Sequence, residues 1–291
     1  MKHLAHKLGL TGTVLALFGG VVAWGGNELE TAHKYYNSTN FEESLKVLDS
    51  IPQKDAAVYQ LSGLNYYMRG EYKRAVEALE AALKSDPRNS VTTLWLARAY
   101  GRRAETSSPF TAMGFASRAR QNFERAVELG PHNVEALSDL FEYYLDAPGF
   151  LGGGMEKAKA TAGRIASLDR AEGEWAMSKL AEKQKQTHGV EAHLREAVRL
   201  APARVGLRLE LGRFLARQGR FAEAEESFTN AEAIAPGSPR ILFAKAEMYV
   251  KYSRNLEVAR QILQRYMSLS LTPDDPPRAE AAKLLRQAEG S

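Results

Sequence analysis

An all-α fold, built from antiparallel helix pairs stacked side by side into a solenoid, is predicted by two observations. The first is a 34-residue recurrence, clearest over 205–238, where Leu211-Gly212, Leu215, Gly219, Phe221, Ala224, Phe228, Ala231 and Pro236 stand at set intervals. Residues 56–89 repeat the plan with Gly63, Tyr66, Gly70, Tyr72, Ala75, Leu79, Ala82 and Pro87. The second is the phase of small and large residues inside the unit. Small residues at positions 8 and 20 let two helix backbones approach, and a small residue at 27 lets the second helix pack on the next unit. Large apolar residues at 4, 7, 11 and 24 fill the space that remains. Proline at 32 stops the second helix, because it has no N–H and clashes with the preceding turn.

Read in this register, residues 24–291 hold about seven units and a closing helix. The first, near 25–55, keeps Ala32, Tyr35, Phe41, Ser44 and Leu48 and ends early at Pro52. The second is 56–89. The third, 90–133, carries Leu96-Ala97, Tyr100, Ala119, Phe123, Ala126 and Pro131. The fourth, 134–170, has Leu137, Leu140, Tyr144, Ala158, Ala162 and Ile165. The fifth, 171–204, has Met177, Ser178, Leu194, Ala197 and Pro202, with Val190 where alanine is expected. The sixth is 205–238, and the seventh, 239–275, has Leu242, Ala246, Tyr249, Ala259 and Leu263. Residues 276–290 read as a last amphipathic helix, with Ala281, Ala282, Leu284 and Leu285 placed to cover the open end of the stack.

Two neighbouring units break the spacing at the turn between their own helices. Tyr100 to Ala119 is 19 residues where the unit expects 9, and Tyr144 to Ala158 is 14. The surplus falls in two loops within 101–116 and 146–155. Both loops carry large apolar side chains: Phe110, Met113 and Phe115 on the first, and Phe150, Leu151 and Met155 on the second. Such residues must bury against something. Either the loops pack on each other and on the helix edge, or they form a flap that docks a partner. The run Gly152-Gly153-Gly154 is not a phosphate loop, since Met155-Glu156-Lys157 follows it in place of Gly-Lys-Ser/Thr.

Composition narrows the function classes. Charged residues make up 25% and hydrophobic residues 44% of the 291, ordinary for a folded soluble chain. There is no cysteine, which excludes disulfides, thiolate metal sites and a cysteine nucleophile. Setting aside residues 1–23, which hold Lys2 and Lys7 and no acid, leaves 37 basic against 35 acidic residues. That balance argues against a nucleic-acid partner, which calls for a clustered basic excess. His188 and His193 are five apart, not the three or four that would put two ligands on one helix face. No nucleotide or hydrolase motif is present, so neither an enzyme nor a cofactor is expected.

The amino terminus reads as an address. Lys2, His3, His6 and Lys7 precede an apolar run, 8–24, with small residues Val21 and Ala23 near its end. This describes a secretory signal peptide, 1–23, cleaved after Ala23, and hence an exported, periplasmic or secreted protein. The alternative is an uncleaved inner-membrane anchor formed by 8–24, a possible membrane association through this segment. As a helix those 17 residues reach only ~25 Å against a ~30 Å hydrocarbon core.

The recurring residues resemble the tetratricopeptide repeat (TPR) family over roughly 27–290, and units two and six match it most fully. The glycine-rich loop also resembles one found in exported bacterial TPR proteins. The resemblance implies a right-handed solenoid whose first helices line a concave groove through positions 2, 5, 9, 12 and 13. Carried over, that groove offers Gln60, Arg98, Arg102, Glu142, Trp175, Lys179, Lys183, Arg213, Arg217, Phe243 and Lys251. Basic ladders with an acidic interruption and a few anchors suit a protein or extended peptide of mixed charge. The alternative for the same residues is a solvated charged face. The carboxylate clamp of chaperone-binding members is not matched, since the second unit places Gln60 and Leu64 there. The expected function is a non-catalytic binding scaffold. A cell-wall or glycan-binding module using Trp95 and Trp175 is the alternative, and a self-assembling scaffold a third. Partner identity and oligomeric state are not written in the sequence.

Overall fold

The computed structural model describes residues 26–290. The signal-peptide or anchor segment lies outside the described residues. Among them are fifteen α-helices and no strand, which makes the fold all-α. The chain divides into two compact units that meet in sequence at Leu168 and Asp169.

The first unit holds four hairpins. They are α1 (Gly26–Asn37) with α2 (Phe41–Ser50), α3 (Ala56–Met68) with α4 (Tyr72–Ser85), α5 (Ser90–Thr106) with α6 (Pro109–Leu129), and α7 (Val134–Asp146) with α8 (Met155–Leu168). The second unit holds three hairpins: α9 (Arg170–Lys183) with α10 (Thr187–Leu200), α11 (Val205–Arg217) with α12 (Phe221–Ile234), and α13 (Pro239–Lys251) with α14 (Leu256–Met267). A single helix, α15 (Arg278–Glu289), closes it.

Local chemistry sets the ends of these helices. Asp55, Asn89, Asn133 and Asp169 each precede a first helix and accept a hydrogen bond from a backbone N–H three residues on, at 2.9–3.1 Å. Each thereby satisfies a donor that the helix itself cannot. Each second helix that precedes Pro87, Pro131, Pro202 or Pro236 stops two residues before the proline, because the residue ahead of proline is pushed out of the helical region.

The core is one column repeated. Leu48, Leu79, Phe123, Ile165, Leu194, Phe228 and Leu263, all at position 24, are each 3% exposed or less. The alanines facing them explain how the helices come close enough to bury that column. Gly212 shows the limit: a Cβ there would lie 2.8 Å from the Phe228 ring. Ser44 takes the alanine position in the first hairpin. Its hydroxyl stays satisfied by donating to the Ala32 carbonyl at 2.8 Å while Asn65 Nδ2 donates to it at 2.9 Å. At the carboxyl end Ala281 of α15 joins Leu242, Phe243, Ala246, Leu263, Tyr266 and Leu271 in one cluster, with Leu284 and Leu285 packed alongside. Arg278 Nη2 donates to the Leu269 carbonyl at 2.6 Å and fixes the approach of the cap.

Asp169 combines two roles. It caps α9, and its Oδ2 accepts from Arg204 Nη2 at 2.6 Å. Burial acts to raise its pKa, but the bonds from Arg204 and from the helix amide outweigh it and hold the carboxyl below its usual 3.8. The folded value is depressed, so this stabilisation is complete above 3.8 and fades as pH falls further toward the folded value. Asp169→Asn keeps a capping oxygen and removes the charge. Its urea midpoint is therefore expected below wild type at pH 7, with the gap closing as the pH is taken below 3.8. A gap that stays constant with pH would rule out the charge as its source.

Candidate functional site

First helices of successive hairpins lie side by side, and within each unit their facing side chains form the candidate surface. In the first unit, Gln60, Leu64 and Tyr67 share one stripe of α3, and Trp95, Arg98 and Arg102 share one stripe of α5, by helical spacing. The stripes meet edge to face, with the Tyr67 and Trp95 rings 5.2 Å apart and the Tyr67 and Tyr72 rings 5.5 Å apart. The Arg98 guanidinium lies 4.7 Å from the Trp95 ring centre. Arg102 Nε donates to the Tyr72 hydroxyl at 3.1 Å, and its Nη1 reaches Glu105 at 2.5 Å. Gln60, Leu64, Tyr67, Tyr72, Trp95 and Arg102 are all half-buried. Burial pushes the Tyr67 hydroxyl up to about 12, so it stays a neutral hydrogen-bonding group. The result is an aromatic patch with one accessible guanidinium at its edge.

Arg98 departs from the expected groove role. It is buried, and it donates through Nε to Asp139 and through Nη2 to Glu135, both at 2.6 Å. Burial works against its charge, and the two carboxylates more than restore it. It ties α5 to α7 instead of waiting for a ligand. The second unit shows the same arrangement. Lys179 Nζ bridges to Glu210 at 2.8 Å, Arg213 reaches Glu210 at 3.2 Å and Glu247 at 3.5 Å, and Arg217 reaches Glu182 at 3.1 Å. The basic ladder is therefore matched by carboxylates on the neighbouring first helices. Glu142 is half-buried, while Lys183 and Lys251 are exposed, the latter with its ammonium 5.6 Å from the Tyr252 ring.

Two groove residues are corrected outright. Trp175 is 0% and Phe243 2% exposed, so neither presents a ring to solvent. Leu94, Ser138 and Leu209, at the same position 5 of their units, are buried too. On these first helices position 5 belongs to the core, and Gln60 alone among the six is partly open. The glycan reading loses Trp175 by the same finding. Tyr67 and Tyr72 were missed by the sequence reading. The signal was there, since Tyr67 stands seven residues after Gln60 on one helix face.

The two insertions differ from expectation and from each other. The first is not a loop: α5 and α6 simply run on, leaving only Ser107 and Ser108 between them. Phe115 stacks on Tyr100 at 6.2 Å beneath Arg103 at 3.9 Å, whereas Phe110 and Met113 face solvent. The second is a tight platform. A short 3-10 helix, Gly149–Leu151, ends at Gly152 with φ of 85°. The Tyr143 hydroxyl lies 2.9 Å from the Leu151 carbonyl and 3.0 Å from that of Ala116, and Gly154 N–H donates to the Tyr144 carbonyl at 2.8 Å. Leu151 and Met155 are half-buried, while Phe150 points out.

Gly153 passes so close to the preceding chain that a Cβ would sit 1.9 Å from the Ala147 carbonyl oxygen. Gly153→Ala must displace backbone and is expected to cost about 1–3 kcal/mol. Denaturant titration would measure it, and a change below about 0.5 kcal/mol, the ordinary range for a surface substitution, would contradict this packing.

Repeated hairpins, each with a buried large apolar residue at the same position, and a partly open first-helix face define a helical-repeat fold. Tetratricopeptide-repeat models match residues 56–89 and 188–239. No curated protein matches the chain. A solved TPR protein from Parabacteroides merdae is similar at 14% identity and a TM-score of 0.55, over 90% of this chain and 98% of that one. A thermophilic TPR protein of Thermus thermophilus is similar at 18% identity and a TM-score of 0.53, over 65% and 97%. At such identities these likenesses speak to the fold. Two stretches of the chain thus match tetratricopeptide-repeat models, and the solved structures share its helical-repeat fold.

Proposed function

We propose that the chain is a non-catalytic scaffold outside the cytoplasm that binds a protein or extended peptide on its first helices, in the groove the family resemblance implies. The observation that carries this is the half-open patch of Tyr67, Trp95 and Arg102 in the first unit. Aromatic rings beside a guanidinium are the residue types that dominate protein-binding hot spots. The patch is held in place before any partner arrives, because α3 and α5 are fixed by their hairpins, so little ordering entropy opposes docking. The neutralised ladders point to a ligand recognised by apolar and aromatic groups more than by net charge. Export is supported by the basic-then-apolar pattern of residues 1–23.

Two experiments test this reading. Peptides selected on the immobilised chain are expected to lose at least about tenfold in affinity for Trp95→Ala, a hot-spot loss of roughly 1.4 kcal/mol. Unchanged affinity would reject the patch, and retention of purified cell wall through Trp95 in place of peptide would favour the glycan module. An alkaline phosphatase fusion to the full chain is expected to be active, since that reporter matures only outside the cytoplasm. An inactive, stable fusion would reject export.

A further inference from the structure

We propose that the tip of the α5–α6 hairpin, with the platform beside it, docks onto an anionic lipid surface. The hairpin is long: α5 has 17 residues and α6 has 21, where α3 and α4 have 13 and 14. At 1.5 Å per residue the surplus carries its tip roughly 6–10 Å past an ordinary turn of this repeat. At that tip Phe110 is 89% exposed and Met113, one helical turn on, is 49% exposed. Phe150 on the neighbouring platform is 77% exposed, while every other exposed large hydrophobic side chain described is at 42% or less. The platform is anchored against α6 through the Tyr143 hydroxyl near Ala116, about 9 Å of helix rise from Phe110. Rigid helices and tight turns thus hold two aromatic side chains out in water, at one edge of the first unit.

The charge around them names the occupant. Residues 103–120 contain Arg103, Arg118 and Arg120 against a single acid, Glu105, which Arg102 pairs at 2.5 Å, and of the three only Arg120 faces a carboxylate among the described residues, Glu124 at 3.5 Å. Arg103 lies over Phe115, and Arg118 donates to the Tyr100 hydroxyl at 3.3 Å, so both have aromatic partners. An apolar tip above a cationic collar matches an anionic bilayer interface, where aromatic groups enter the headgroup boundary and arginines meet phosphates. A second copy of the chain would bring two cationic collars together, and like charges oppose that contact. A protruding tip also offers no groove for a peptide, whereas a bilayer needs none. This contact is separate from the apolar segment 8–24 and from the first-helix patch.

The absence of cysteine makes a clean test possible. Thr111→Cys in the full chain, labelled with nitrobenzoxadiazole, is mixed with vesicles of equal parts phosphatidylglycerol and phosphatidylcholine. The emission is expected to rise several-fold and to be quenched by lipid-borne nitroxide. Neutral phosphatidylcholine vesicles and about 0.5 M salt are expected to abolish most of the rise. Adding Phe110→Ser and Phe150→Ser should remove it while far-UV circular dichroism and the urea midpoint hold. A label at Lys84→Cys, at the far end of α4, reports any approach driven by residues 8–24 and should stay silent. An unchanged signal at Thr111, or an equal rise at Lys84, would overturn the proposal. So would a rise without vesicles that grows with protein concentration, which would assign the tip to a second copy.

Discussion

Replacing Trp175 by alanine is expected to destabilise the protein by about 3–5 kcal/mol, the range for removing a large aromatic side chain from a packed interior. The ring is completely buried, and the Lys179 ammonium lies 5.7 Å from its centre. The vacated volume cannot be filled by small local shifts, because neighbouring side chains such as Ala171, Ala176 and Leu180 of the same helix are themselves buried. In a repeat protein each hairpin is supported mainly by its neighbours, so the loss should be local at first. Hydrogen exchange is expected to show weakened protection concentrated in α9, α10 and α11, and urea titration to show the overall cost. A loss below about 1 kcal/mol with unchanged protection would mean the ring is a surface group and would revive its role as a ligand platform.

A comparable effect is expected at Arg98. Removing its guanidinium by Arg98→Met leaves Asp139, itself 13% exposed, without the cation that faces it at 2.6 Å. Deleting one partner of a buried ion pair typically costs about 3–5 kcal/mol, because the remaining charge stays desolvated. Adding Asp139→Leu in the same chain is expected to recover part of that loss, since an apolar pair needs no solvation. Urea titration of the two single variants and the double variant closes the cycle. If the single variants are near neutral and their effects simply add, the α5–α7 tie is not structural, and Arg98 returns to the list of ligand-binding residues.

How far the sequence could be read depended on what each position had to satisfy. Packing positions were legible, because a residue between two helices has one acceptable size. The position-24 column and the facing alanines are visible as a period in the chain and occupy the core as that period implies. Where the clear repeats turn at Gly70 and Gly219, the first, fifth and seventh hairpins hold a positive φ at Thr39, Lys185 and Ser253, so the glycine signal is missing there. Groove positions were less legible, since a charged residue on a first helix reads alike whether it awaits a ligand or pairs with its neighbour. Glu210 and Glu247 decide that question for Arg213, and they lie in the same and the following first helix. Position 5 misled because family geometry does not say how deeply a given aromatic sinks; Trp175 and Phe243 are large enough to join the core. The insertion at 101–116 misled for a different reason. Serines, a proline and a glycine read as a loop, yet Pro109 is at home at the start of a helix, and the helix simply begins there.

The interaction face of the first unit is the claim on which the functional account turns, and photocrosslinking in living cells tests it most directly. A benzoylphenylalanine in place of Leu64, on the α3 stripe beside Tyr67, is expected to form a covalent adduct of discrete size with one protein partner, and Trp95→Ala in the same chain is expected to abolish it. No adduct at Leu64, or an equal adduct from Glu77 on the exposed side of α4, would contradict the account.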